Sequence, residues 1–100
     1  MDITYPTICI PKVHNSITKD YLLSVFKKYN FGNITKVDFI NINKINKAFI
    51  HLKWNDLELS KKARSILLSD ENFKIIYDDR NGWYWKCSAS ISKHNLPKIN

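Results

Sequence analysis

Asn46-Lys47-Ala48-Phe49-Ile50-His51-Leu52-Lys53-Trp54 alternates without a break. Ala48, Ile50, Leu52 and Trp54 fall on one side, and Lys47, Phe49, His51 and Lys53 on the other. A period of two marks a half-buried strand, because successive side chains leave a β-backbone on opposite faces. The first set is aliphatic and closes with an indole, which suits a core. The second is basic with a phenyl ring at its middle. That surface suits water, or a ligand that is flat and negative.

Just upstream, residues 34–40 predict a partner strand. Ile34, Val37 and Phe39 look inward there, with Lys36, Asp38 and Ile40 on the opposite face. Residues 41–45 are expected to turn between the two strands. Further back, Thr7-Ile8-Cys9-Ile10 alternates behind a Tyr5-Pro6 lead-in, and Pro11 is expected to end it. Between these strands Leu22, Val25, Phe26 and Tyr29 recur at helical spacing. Thr18 or Ser16 can cap that helix, Asp20 suits its positive start, and Gly32 is a natural left-handed stop.

Downstream of Trp54, Asn55 with Glu58 three residues on resembles a capping box. Leu59, Ala63, Ile66 and Leu67 give the second helix its stripe, and Ser69-Asp70 should end it. Two extended runs follow, 73–77 and 83–90, joined by a loop with an Asn81-Gly82 turn signal. In the second run Trp83, Trp85, Cys87 and Ala89 share one face, and Tyr84, Lys86 and Ser88 share the other. Residues 91–100 read as a loose polar tail. The expected order is strand, helix, strand, strand, helix, strand, with a small hairpin before the last strand.

One hundred residues with 44% hydrophobic content make one domain, here 1–90, with a core that needs no staples. Sixteen Lys and Arg against nine Asp and Glu leave a net charge of +7, which favours polyanionic partners. Arg occurs only twice while Asn, Ile and Lys are frequent, so part of this bias is that expected of an AT-rich coding sequence. Cys9 and Cys87 are too few for a disulfide scaffold or a zinc site, and alternation sets them on opposite faces. His14, His51 and His94 have no metal-ligand spacing. Ser16, Ser24 and Ser60 have no partnered base or glycine elbow. No phosphate-loop or dinucleotide fingerprint occurs. No enzyme activity, cofactor or metal is therefore expected. The start of the chain lacks a signal-peptide pattern, and no run is long and apolar enough to span a membrane. An intracellular setting is the expectation.

The order and lengths of these elements over residues 5–90 resemble the RNA-recognition motif family. Thr18, Leu22, Phe26 and Tyr29 look like its first helix. Gly32 and Ile34 look like the lead into its second strand, after Asn30-Phe31 as a small insertion. Ala63 and Ile66 resemble its second helix. The resemblance implies an α+β, ferredoxin-like sandwich: four antiparallel strands in spatial order 4-1-3-2, with two helices on one face. It also implies RNA binding on the open face.

The family's octapeptide motif falls on Ile45 to Leu52, where Ala48, Phe49 and Ile50 fit, but Lys47 stands at an aromatic position. Its hexapeptide motif falls on Ile8 to Val13 and places Cys9 at its aromatic position. One of three stacking residues, Phe49, is left. The two losses remove roughly 2–6 kcal/mol of stacking. A looser likeness, to uncharacterised RNA-recognition-like proteins of large DNA viruses, rests on Ile10-Pro11-Lys12-Val13, Phe49-Ile50-His51 and Trp83-Tyr84-Trp85-Lys86-Cys87-Ser88. It carries no known function and would imply a host cytoplasm, nucleus or virion.

Two readings follow. The first is binding of RNA or single-stranded nucleic acid through Phe49, Lys47, His51, Tyr84, Lys86, Lys36 and Lys53, with weak sequence preference. Asp38 is the visible acid on that face. The second is a protein-interaction or self-associating module that keeps the fold and has lost RNA readout, with contacts at Trp83, Tyr84 and Phe49. No membrane partner is expected in either.

Overall fold

A computed structural model describes residues 3–90; the tail expected over 91–100, with His94, lies outside the described residues. The elements run β1 (Ile8–Val13), α1 (Lys19–Tyr29), β2 (Gly32–Ile42), β3 (Ile45–Trp54), α2 (Glu58–Leu68), β4 (Phe73–Asp78) and β5 (Trp83–Ala89). All strand pairs are antiparallel, in one open sheet of order β2-β3-β1-β5-β4. This corrects the expected four-stranded sheet. The first arm of the hairpin, β4, is a fifth strand at the edge. Its alternation, with Ile75 buried between exposed Lys74 and Ile76, lets it extend the same layer.

The inner sides of the strands and the buried residues of both helices form one core. Ile8 and Ile10, Ala48, Ile50, Leu52 and Trp54, and Trp85 and Cys87 meet Leu22, Val25 and Phe26 of α1 and Ala63 and Leu67 of α2. The alternation of β3 is thus fully realised. At the end of that strand the Trp54 indole donates to the Pro6 carbonyl at 3.0 Å, so its polar edge is satisfied inside the core.

Five local readings change. Pro11 does not end β1; the strand continues to Val13 through an irregularity between Ile10 and Val13, where the missing amide is tolerated. Gly32 does not cap α1. Asn30 does so in the left-handed region (φ 52°), its amide donating to the Phe26 carbonyl. Gly32 opens β2 instead, where a Cβ would overlap the Lys53 carbonyl oxygen. Phe31, within the stretch read as a small insertion, is a core residue: it is 3% exposed and its ring meets those of Phe26, Tyr29, Trp54 and Phe73. The expected turn over 41–45 shrinks to Asn43-Lys44, both at positive φ, as a two-residue hairpin requires. Finally, the second helix begins at Glu58 behind Leu57, which caps without a side-chain bond. Asn55 accepts from the Leu57 amide and donates to the Asn30 carbonyl instead of forming a capping box. The helix buries Ser60, Ala63 and Leu67, while Leu59 faces solvent.

Candidate nucleic-acid interface

The outer face of the sheet is built by the register. Cys9 lies opposite Phe49 on one side and Ser88 on the other, so the outward residues of β1, β3 and β5 share a surface. On β2 a bulge between Ile34 and Lys36 brings Lys36, Asp38 and Ile40 opposite His51, Phe49 and Lys47. That extra residue is why Ile34 and Val37, three apart, both turn inward. On β4, Lys74 and Ile76 lie opposite Lys86 and Tyr84.

Three rows cross this face, and they differ in chemistry. At one end lie Lys36, His51 and Thr7. Asp38 reaches into this row and ties it together: its carboxylate is 3.0 Å from His51 Nε2 and 3.5 Å from Lys36 Nζ. Thr7 Oγ1 is 3.4 Å from His51 Nδ1. The hydrogen bond from His51, and secondarily the Lys36 ammonium, holds the Asp38 carboxyl below its ordinary value. Lys53, opposite Asn33, is exposed beyond this end. The middle row holds Asp38, Phe49, Cys9 and Ser88, with Phe49 half-buried.

The third row is the basic one. Ile40 and Lys47 sit side by side on β2 and β3. A hollow lined by Pro11, Lys12, Ile42, Ile45 and Lys47 continues the row to β1. A second hollow, lined by Pro11, Lys12, Tyr84 and Lys86, continues it to β5; Lys74, opposite Lys86, closes it on β4, with Ile76 and Tyr84 paired one step beyond. Among the described residues, Lys12, Lys47, Lys74 and Lys86 join no ion pair. Tyr84 is 46% exposed, and Lys74 Nζ lies 4.5 Å over its ring.

The residues anticipated for this surface therefore share a face but not a spot. Lys47 and Lys86 lie in the basic row, Tyr84 one step beyond it opposite Ile76, Phe49 in the middle, and Lys36 and His51 in the neutralised row. Phe49 and Tyr84 are roughly 15 Å apart, by two strand spacings and four residues of rise. They serve as separate stations, not one platform. Lys12 and Lys74 were missed. Lys74 was legible as an outward residue once the run 73–77 is paired into the sheet. Lys12 sits beyond an irregularity that alternation cannot follow. Trp83 is 56% exposed, resting its ring against Tyr77 at the end of the hairpin.

Comparison with protein-family models, with curated proteins and with solved structures finds no match for this chain. No helix among the described residues is long and apolar enough to cross a membrane.

Proposed function

We propose that this protein is a non-enzymatic binder of RNA or single-stranded nucleic acid, weakly sequence-specific, that holds its ligand on the outer face of the sheet. The observation that carries this reading is the row of Lys12, Lys47, Lys74 and Lys86, unneutralised by any described acid, beside the aromatic rings of Phe49 and Tyr84. Lysine supplies point charges for phosphates, and every base offers a face to an aromatic ring. Neither contact reads sequence, so phosphate attraction dominates and selectivity is slight. The five-stranded antiparallel sheet with two helices is compatible with a ferredoxin-like, RNA-recognition-type sandwich that carries an added edge strand.

The test is titration of short single-stranded RNA at low salt. Phe49→Ala is expected to cost about 1–3 kcal/mol of binding if a base stacks there. Lys47→Glu should weaken binding further by placing a negative charge in the row. Melting curves confirm that the variants stay folded. Unchanged affinity in both would sink the reading. A second reading, a protein-interaction or self-associating module, is favoured by the exposed Trp83, a large aromatic left at the surface of a small domain. It wins if RNA fails to bind at low salt while the protein elutes as a stable dimer.

A further inference from the structure

Resting on the nucleic-acid reading, we infer that Lys12, Lys74, Tyr84 and Lys86 form one nucleotide subsite, in which Lys74 covers the Tyr84 ring until a base displaces it. Three observations meet there. Lys74 and Lys86 stand directly opposite each other on β4 and β5, and like charges so placed repel. Among the described residues no ion pair relieves them. An anion bound between them would remove that repulsion. Lys12 lines the adjoining hollow with Pro11, Tyr84 and Lys86, so a third ammonium faces the same space.

The Tyr84 ring has one face occupied by Lys74 Nζ at 4.5 Å. That cation–π contact is worth little at an exposed site and shelters a charge with no better partner. A base stacked on Tyr84 takes the ring face and gains more than the ammonium loses. The displaced ammonium remains beside the nucleotide, on the strand that carries Ile76 opposite Tyr84, and turns to the phosphate. The ligand is thus one unit of a single strand: base on Tyr84, phosphate among Lys12, Lys74 and Lys86. The subsite depends on β4, because that edge strand supplies Lys74.

The probes are an oligouridylate and an oligothymidylate of about ten nucleotides, within the range such faces bind. Affinity is measured by fluorescence anisotropy between about 50 and 200 mM salt. Lys74→Gln and Lys86→Gln should each flatten the slope of log affinity against log salt by about 0.7. Tyr84→Leu should weaken binding about 5- to 150-fold with the slope kept, and Tyr84→Phe should restore it. Lys61→Gln on α2 controls for loss of a distant charge. The variants must weaken both probes, and the wild-type preference tells ribose from deoxyribose strands. If the wild type binds, and only Phe49→Ala and Lys47→Glu weaken it, the subsite is wrong and the face reading stands. If the wild type binds neither probe at low salt, both fall.

Discussion

Asp38 decides how much of the outer face is electrostatically open. It lies among outward lysines, and it neutralises Lys36 and engages His51 at one end of the face. Its carboxyl is held below the ordinary carboxylate range, first by the His51 hydrogen bond and next by Lys36. A lowered value means the charged form is the stabilised one. The contact is therefore intact above that range and lost only as acid protonates Asp38. At neutral pH its negative charge faces any approaching phosphate. Asp38→Asn should remove that charge and release Lys36, raising low-salt affinity for single-stranded RNA by a few-fold and steepening the salt slope by up to about 0.7. An unchanged slope would show that the ligand does not reach this end. The identity of Asp38 as the acid of the face was readable from alternation alone. Its partners were not, because the bulge at Thr35 sets which residue of β2 meets His51.

Among the elements, β3 and α1 were the most legible and β4 the least. Strict alternation in β3 and the spacing of Leu22, Val25 and Phe26 each leave one face for a core. The run 73–77 has the same alternation, but nothing local says whether a hairpin arm stands apart or joins the sheet. The answer lies in α1. The Tyr21 hydroxyl donates to the Tyr77 carbonyl at 2.9 Å, and the Tyr29 hydroxyl to the Ile76 carbonyl at 3.3 Å. Tyr77 stacks on Trp85 at 4.4 Å between centroids, which also meets the Tyr21 ring edge-on. The helix thereby fastens the edge strand through two of its carbonyls. Replacing both tyrosines by phenylalanine keeps the ring contacts and removes the bonds. Each neutral hydrogen bond contributes about 0.5–1.5 kcal/mol. The double variant should therefore melt roughly 4–24 °C lower, with amide exchange accelerated in β4 before the rest of the sheet. Uniform acceleration would mean β4 is not held separately by α1.

For the molecule as a whole, a net charge of +7 said that a polyanion was a reasonable partner but not where it would lie. Composition cannot distinguish lysines spread over a solvated surface from lysines gathered on one face. The sheet does so, by neutralising Lys36 at one end and leaving Lys12, Lys47, Lys74 and Lys86 across the other. With Cys9 and Lys47 at positions where the RNA-recognition motif that the chain resembles carries aromatics, the proposed binding would rest on charge more than on aromatic contact. Charge-dominated binding has a distinctive dependence on salt, because each phosphate contact releases condensed counterions. Four lysines engaged on a single strand give a slope near −3 in log affinity against log salt, at about 0.7 per contact. A fourfold rise in salt should then weaken binding roughly 50-fold. Anisotropy titrations across that range check the number. A slope near −1 would confine contact to one or two lysines and return the weight to Phe49 and Tyr84. A slope near zero would mean that the basic row does not meet phosphate at all, and the exposed apolar residues Trp83, Ile76 and Ile40 would then be the better guide to the partner.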